Sequence, residues 1–242
     1  MIPSPIPKVL SSMRAHRVQC LLMGGQACVS YGAAEFSRDV DLLLLADGAN
    51  LSRLDAALAE LGAEPIAVPS LDLGALQRGH AIHFRCQAAE GIPLDLMAVL
   101  RGVAPFPELW ARRTTLEVDG EPIELLALPD LVEAKKTQRD KDWPMIRRLV
   151  EASYFADRER PTPELVGFWL RELRTPELLI ELARQQPESA RRSERPAVGA
   201  ALSGNLADIE PALAEEQAKV REQDRAYWAP LRAELERLRR QR

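Results

Sequence analysis

The stretch that most constrains this 242-residue chain is a pair of glycines followed by a pair of aspartates. A mostly apolar run over residues 18–23 predicts a buried strand that stops at Gly24 and Gly25. Asp39 comes fourteen positions after Gly25, and Asp41 follows after one residue, at the start of a second apolar run. Because successive side chains of a strand point to opposite faces, we expect Asp39 and Asp41 on one face.

This pattern suits a site for a cation and a phosphate. Two carboxylates on one face of a strand repel each other unless a cation lies between them, and Mg²⁺ usually takes one or two carboxylates plus phosphate oxygens. Glycines just before a helix let backbone N–H groups approach phosphate closely. We therefore expect Gly24 and Gly25 to cradle phosphate, and Asp39 and Asp41 to bind Mg²⁺ (or Mn²⁺). Phosphoryl or nucleotidyl transfer is the chemistry that this indicates.

A third carboxylate is available in a later apolar run. Asp95 stands alone in the predicted strand 92–98, where a charged group costs free energy unless it is paired or bound to metal. If that strand lies beside strand 40–45, Asp95 joins Asp39 and Asp41. Three carboxylates can hold two Mg²⁺ ions, one for the triphosphate and one that lowers the pKa of an attacking hydroxyl, with Asp95 as base or ligand. Attack on the α-phosphate would transfer a nucleotidyl group and release pyrophosphate.

Plainer interpretations exist for each part of the pattern. A glycine pair alone is most often a turn. Asp39 and Asp41 alone could be strand-edge charges that block aggregation. Four leucines follow directly at 42–45, however, and such a run favours a central strand.

The combined pattern resembles a known family. A glycine pair, the Asp39-Val40-Asp41 motif and then Asp95 on a later strand are similar to the polymerase-β-like nucleotidyltransferase superfamily. The segment 128–142 resembles the Lys…Arg…Lys-Asp signature of its minimal relatives and its abortive-infection (AbiEii-type) toxin branch. The resemblance covers roughly residues 15–155.

The resemblance implies roles for further residues. Lys135 would contact the triphosphate, with Arg139 and Asp142 in support, and Ser37 would belong to the nucleotide site where the family often has Thr. The three aspartates would be the catalytic and metal-binding acids. A solvated helix face remains the plainer interpretation of Lys135 and its neighbour Lys136.

Besides Ser37, the sequence departs from the family pattern at three places. Gly25 stands where the superfamily often has Ser, Glu35 where it often has Arg, and Met145 where the toxin-like pattern usually has a second Asp. These departures leave the substrate open. They also motivate an alternative from another class, a non-catalytic nucleotide-binding or interaction module on a degenerate transferase scaffold.

Periodicity and turn residues predict an α/β (α+β) fold, with a small mixed β-sheet of nucleotidyltransferase type, helices mainly on one face and a helical C-terminal part. The predicted strands and the hairpin lie at 18–23, 40–45, 80–86, 92–98 and 114–126, the last turning at Asp119-Gly120. The predicted helices lie at 5–16, 26–31, 51–61, 129–138, 144–154, 161–184 and 211–242, with a loop or flexible linker at 185–197. The expected domains are a nucleotidyltransferase core (1–104), a hairpin with helices that complete the nucleotide site (105–155) and a helical C-terminal region (156–242).

The function that these features predict is transfer of a nucleoside monophosphate from an NTP such as ATP to a hydroxyl acceptor. The acceptor is open between an RNA end such as that of tRNA, a protein and a small molecule, and one role considered is that of a toxin in a toxin–antitoxin system. The C-terminal helices are expected to be the route to a homo-oligomer or a cognate partner protein.

Composition narrows the remaining choices. No apolar run approaches the ~20 residues that span a bilayer, and the N-terminus lacks a signal-peptide pattern, so we expect a cytoplasmic protein with no membrane partner. Three cysteines without CxxC spacing predict buried free thiols. His80 and His83 are expected on opposite faces of a strand, where they make a poor shared metal site. The arginines at 191, 192 and 195 are expected in a solvated loop.

Overall fold

A computed structural model describes residues 5–34 and 36–241 of the chain. Residues 1–4, Glu35 and Arg242 lie outside the described part. The departure noted at Glu35 therefore has no structural description. The described strands are β1 (Cys20–Met23), β2 (Val40–Leu44), β3 (Ala63–Pro65), β4 (Ile82–Cys86), β5 (Ile92–Met97), β6 (Thr114–Val118) and β7 (Glu121–Leu125). The described α-helices are α1 (Ile6–Ala15), α2 (Gly24–Ser30), α3 (Gly48–Glu60), α4 (Leu73–Arg78), α5 (Phe106–Ala111), α6 (Leu128–Ala134), α7 (Asp142–Asp157), α8 (Pro163–Glu172), α9 (Pro176–Gln185), α10 (Pro187–Arg191), α11 (Pro196–Ser203) and α12 (Leu206–Arg240).

The strands form one mixed sheet in the order β3-β4-β5-β2-β1-β7-β6. Strand β2 pairs antiparallel with β1 and parallel with β5. Strand β4 pairs antiparallel with β5, and β1 pairs parallel with β7. The predicted α/β fold, with a mixed sheet and a helical C-terminal part, is therefore confirmed.

One row of residues crosses four strands of this sheet. Met23 pairs with Asp41, Asp41 with Asp95, and Asp95 with His83. Residues paired across neighbouring strands point to the same face of a sheet, so these four side chains share one face. This row positions the candidate site.

Strand β2 is central because its apolar residues need cover on both faces. Leu42, Leu43 and Leu44 are each at most 1% exposed, although they alternate between the two faces. The strand also has a hydrogen-bonded partner on each side. The interpretation of Asp39 and Asp41 as strand-edge charges is therefore wrong, and the central position predicted from the leucine run is confirmed.

The predicted hairpin at Asp119-Gly120 is also confirmed. Strands β6 and β7 pair antiparallel, and the two turn residues have φ of 54° and 79°. Positive φ at both central residues is what a two-residue hairpin turn of type I′ requires, and Asp-Gly is a preferred sequence for it.

Two helical segments differ clearly from their predicted extents. The helix expected over 129–138 ends at Ala134. Beyond it, the Thr137 hydroxyl donates to Asp142, and a local side-chain bond of this kind competes with helix continuation. The single helix expected over 161–184 is two, α8 and α9, because Pro176 opens a new helix instead of extending the previous one.

The expected loop at 185–197 is wrong. Pro187 and Pro196 open α10 and α11, since proline is well tolerated in the first turn of a helix. Arg195, expected in a solvated loop, is largely buried: its guanidinium pairs with Glu216 at 2.8 Å and donates to the Leu170 carbonyl at 3.0 Å.

Contacts divide the chain into two compact units. The first consists of Met1–Ser30, Ala34–Ala134 and Trp228–Arg242, and it contains the whole sheet. The second consists of Tyr31–Ala33 and Lys135–Tyr227. The predicted division into three segments stays a prediction. Among the described helices, none is both long and apolar enough to cross a membrane.

The second unit has its own aromatic core. Trp169 and Tyr154 are fully buried, with their rings edge to face and 5.0 Å between centroids. Trp143 is also buried, and its indole N–H donates to the Thr137 carbonyl. Trp143 and Trp169 therefore belong to the core of this unit.

Candidate functional site

Three carboxylates converge on one face of the sheet in the first unit. One oxygen atom from each of Asp39, Asp41 and Asp95 lies within 4.8 Å of the corresponding oxygens of the other two. All three side chains are partly exposed. The structure thus brings together the three acids that the sequence singled out.

The convergence follows from strand geometry. Asp39 precedes β2 and Asp41 lies within it, two residues apart and hence on one face. Strand β5 runs parallel to β2, with Asp95 directly paired to Asp41. The expected adjacency of these two strands is confirmed.

The glycine pair makes room for this cluster. Gly24 has φ of +65° and opens α2 directly after β1. A Cβ atom there would lie 2.6 Å from Asp41 Cβ and would overlap the carboxylate itself. The Gly25 N–H donates to Asp41 Oδ2 at 3.3 Å. Both glycines therefore contact the acid cluster, whereas their contact with phosphate stays a prediction.

Ser37 also belongs to this cluster. Its hydroxyl donates to Asp39 Oδ1 at 2.7 Å, and its Cβ would lie 2.9 Å from a Cβ built on Gly25. Its carbonyl accepts a bond from the buried amide of Gln26 at 3.1 Å. Gln26 was not singled out in the sequence, where nothing distinguishes it from any polar residue in a short helix.

His83 is the most important contact that sequence reasoning missed. Its Nδ1 lies 2.7 Å from Asp95 Oδ1, across the β4–β5 ladder. The sequence did contain a signal for this contact. If the predicted strands 80–86 and 92–98 pair as a hairpin, residue 83 lies opposite residue 95. His80 lies before β4 and is 2% exposed, with Nε2 3.3 Å from Glu234 Oε1.

The electrostatics of His83 reflect the acid cluster. The hydrogen bond to Asp95 raises the pKa of His83, and partial burial opposes that rise. The negative charges of Asp95 and Asp41 raise the pKa further, and the positive charge of Arg239 lowers it. The pKa of His83 thus depends on the charges of two of the three carboxylates.

The second unit holds the residues of the lysine signature. The buried carboxylate of Asp142 accepts the Thr137 hydroxyl at 2.5 Å and the Arg139 Nε at 2.7 Å. The Lys135 ammonium lies 3.8 Å from the same carboxylate. Lys135, Arg139 and Asp142 thus form one cluster of charges around Asp142, and their contact with a triphosphate stays a prediction.

Comparisons with known proteins give structural likenesses alone. No protein-family model matches the chain, and no curated protein matches it. The crystal structure of ANT(2")-Ia in complex with adenylyl-2"-tobramycin is 16% identical, with a TM-score of 0.36 over 88% of this chain and 95% of that chain. JHP933 from Helicobacter pylori is 12% identical, with a TM-score of 0.40 over 95% of this chain and 94% of that one.

A third similar structure is an antigenic nucleotidyltransferase-like protein from Paracoccidioides brasiliensis. It is 15% identical, with a TM-score of 0.36 over 72% of this chain and 93% of that chain. Likeness at these TM-scores carries no conclusion about activity.

Proposed function

We propose that this protein is a metal-dependent nucleotidyltransferase that transfers a nucleoside monophosphate from an NTP to a hydroxyl acceptor. The observation that carries the proposal is the cluster of Asp39, Asp41 and Asp95, whose carboxylate oxygens lie within 4.8 Å of one another. The cluster lies beside the Gly24-Gly25 turn, and both glycines contact its carboxylates. Binding of phosphate by the backbone of this turn is part of the proposal.

The donor set fits Mg²⁺ or Mn²⁺. One oxygen of each carboxylate has a hydrogen-bond partner: Ser37 for Asp39, Gly25 for Asp41 and His83 for Asp95. A carboxylate has about four lone-pair sites, so each of the three retains capacity to bind a metal. Hard oxygen ligands that are partly open to solvent are typical of Mg²⁺ sites completed by substrate phosphates. Without a cation, three carboxylates at this spacing would repel one another.

The residues then have distinct roles. Asp39 and Asp41 would hold Mg²⁺, which when bound neutralises triphosphate charge and lowers the pKa of the acceptor hydroxyl. Asp95 would take the proton from that hydroxyl. The hydroxyl oxygen forms a bond to the α-phosphorus, the bond from that phosphorus to the bridging oxygen breaks, and pyrophosphate leaves with its electron pair. Gly24 and Gly25 would bind the phosphates through their backbone.

The test is transfer from α-³²P-labelled NTPs with Mg²⁺ or Mn²⁺, comparing wild type with Asp41→Asn. We expect the substitution to abolish transfer of the label, and with it the release of pyrophosphate, as loss of a metal ligand does. Asp47→Asn is the matched control: Asp47 caps α3 by accepting the Asn50 N–H, and Asn caps a helix equally well. Equal rates for wild type and Asp41→Asn would refute the proposal.

The same assay, combined with calorimetry, distinguishes the enzyme from the alternative of a non-catalytic module. Calorimetry with NTP and Mg²⁺ measures binding, and the labelled assay measures transfer. Binding that depends on Asp41, with no pyrophosphate released over a long incubation, would support the module. Pyrophosphate release that depends on Asp41 supports the enzyme.

Lys135 is proposed to contact the triphosphate, with Arg139 and Asp142 in support. Lys136 offers a matched control, because both lysine side chains are mostly buried and each lies near a carboxylate: Lys135 near Asp142 and Lys136 near Glu172. We expect Lys135→Met to raise the KM for NTP about tenfold or more, as loss of a charge-assisted bond would. Lys136→Met should leave that KM unchanged.

The acceptor is proposed from three classes, each with its own assay. Labelled NTP is incubated with total tRNA, with the protein itself and protein extracts, and with a small hydroxylated antibiotic. Label that moves to one class and depends on Asp41 identifies the acceptor. A toxin role predicts that expression of wild type, and not of Asp41→Asn, arrests growth.

A further inference from the structure

His83 lies opposite the proposed base on the neighbouring strand. It pairs with Asp95 in the antiparallel β4–β5 ladder, and its Nδ1 is 2.7 Å from Asp95 Oδ1. An ionised carboxylate can only accept, so Nδ1 must carry the hydrogen and donate it. A side chain one residue before or after would point to the other face, where Ile82 and Phe84 are buried.

The pair contributes little to stability. The side chains of His83 and Asp95 are 36% and 27% exposed. Ion pairs this accessible to water contribute about 0–1 kcal/mol. A second pair, between His16 Nε2 and Glu60 Oε2, has the same 2.7 Å separation, with side chains 32% and 53% exposed, and neither of its members lies in the acid cluster. Holding the fold together is therefore a weak reason for the contact of His83 with Asp95.

Orientation is the stronger reason. A carboxylate on an open sheet face can rotate about its terminal torsion, which is broad for Asp. Asp39 is held by the Ser37 hydroxyl and Asp41 by the Gly25 N–H, so each member of the cluster has its own donor. Holding one oxygen of Asp95 limits the directions in which its other oxygen can point. Partners of this kind fix the orientation of metal-binding side chains.

We propose that His83 is a positioning residue: its Nδ1–H holds Asp95 in the orientation that lets the carboxylate reach Asp39 and Asp41. This inference rests on the proposed function, because positioning matters only if Asp95 binds metal or takes a proton. His83 itself touches no phosphate in this scheme. Its loss should therefore lower kcat and divalent-ion affinity and leave the KM for NTP nearly unchanged.

The geometry specifies which substitutions of His83 should preserve its hydrogen bond to Asp95. The amide nitrogen of Asn can take nearly the place of Nδ1, so His83→Asn should retain the bond to Asp95. Leu fills similar space with no donor, so His83→Leu should lose it. Loss of such an outer partner typically costs about 10–100-fold in metal affinity or activity.

The test measures Mn²⁺ affinity by calorimetry and kcat and KM by labelled-NTP transfer, for wild type, His83→Leu, His83→Asn and His16→Leu. We expect His83→Leu to lose at least tenfold in Mn²⁺ affinity and in kcat, and the other two variants to stay within about threefold of wild type. Circular dichroism and thermal melts check that each variant folds.

Two results would overturn the inference alone. One is that His83→Leu keeps the Mn²⁺ affinity and the kcat of wild type while Asp41→Asn loses both. The other is an equal loss in His83→Asn and His83→Leu, which would mean that the hydrogen bond is not the cause. A wild type that neither binds Mn²⁺ nor releases pyrophosphate would overturn the proposed function, and the inference with it.

Discussion

The carboxylate of Asp41 occupies the space that a side chain at Gly24 would need. A Cβ atom at position 24 would lie 2.6 Å from Asp41 Cβ and overlap the carboxyl group. Gly24 also has φ of +65°, a backbone conformation that side chains disfavour. Glycine is therefore required here for two separable reasons, backbone strain and the close approach of an acid.

Gly24→Ala should disrupt the acid cluster beyond what backbone strain explains. Left-handed backbone costs alanine about 1 kcal/mol in folding stability. The overlap should also displace the carboxylate of Asp41, a proposed metal ligand. Mn²⁺ affinity measured by calorimetry should therefore fall at least tenfold, as it does when a contact that supports a metal ligand is lost.

Gly32→Ala is the matched control for that substitution. Gly32 has φ of +73°, and nothing lies within 4 Å of a Cβ built there. It should show the strain cost in a thermal melt and keep wild-type Mn²⁺ affinity. Equal Mn²⁺ affinities for the two alanine variants would contradict the prediction.

The three carboxylates should destabilise the metal-free protein. Asp41→Asn removes one charge from the cluster while keeping the side-chain shape. In EDTA, the Tm of this variant should therefore equal or exceed that of wild type. A repulsion of up to ~1 kcal/mol corresponds to a rise in Tm of about 1–4 °C.

Added Mn²⁺ should reverse that order. A ligand at 100 times its Kd stabilises a folded protein by about 2.7 kcal/mol, so the Tm of wild type should rise and that of Asp41→Asn should rise much less. A wild-type Tm that does not respond to Mn²⁺ would count against the site.

The ion pairs of Glu216 should make the second unit sensitive to acid. Burial disfavours the ionised form of Glu216, but the charges and hydrogen bonds of Arg195 and Arg174 outweigh it and lower the pKa of this carboxyl below 4.5. Because the folded pKa lies below the unfolded value, the pair stabilises the fold fully above pH 4.5, and this stability is lost as pH falls through the folded pKa.

Glu216→Gln should therefore cost stability at pH 7 and less at low pH. Removing one partner of a part-buried network leaves two arginines without their carboxylate, which we expect to cost about 1–3 kcal/mol in urea unfolding at pH 7. The difference from wild type should shrink below pH 4.5. Glu215→Gln, at the exposed neighbouring position, should change neither value.

The cysteines should be unreactive in the folded protein. Burial, with a smaller effect of the Glu124 charge, raises the pKa of Cys20 to about 12, and burial raises the pKa of Cys86 to about 11. Cys28 and Cys86 are buried, as predicted, whereas Cys20 is partly exposed, and none of the three forms a disulfide. Since the thiolate is the reactive form, iodoacetamide at pH 8 should label none of them within minutes.

Denaturant should expose all three thiols to the same reagent, with three adducts by mass spectrometry. Rapid labelling of any cysteine in the native state would contradict the prediction.

Much of the acid cluster could be predicted from the sequence because its rules are local. The two-residue spacing of Asp39 and Asp41 fixes their common face, and the leucine run that follows requires a strand covered on both sides. The turn at Asp119-Gly120 follows in the same way from the φ preferences of its two residues. Each of these predictions needs only neighbours along the chain.

The helical region was harder to predict because its proline signals are ambiguous. Pro187 and Pro196 indicated a loop, whereas each opens a helix. Proline is compatible both with a break and with a first turn, and burial of the neighbouring residues decides between them. For Arg195, that burial comes from Glu216 and the Leu170 carbonyl, which are distant in sequence.

The sequence by itself determined which acids share a strand face, since side-chain alternation is a property of each extended segment. The tertiary structure alone decided that β5 lies beside β2 with Asp95 level with Asp41. The physical reason is that strand neighbours are chosen by packing over the whole sheet. No spacing along the chain specifies which distant segment supplies the next carboxylate.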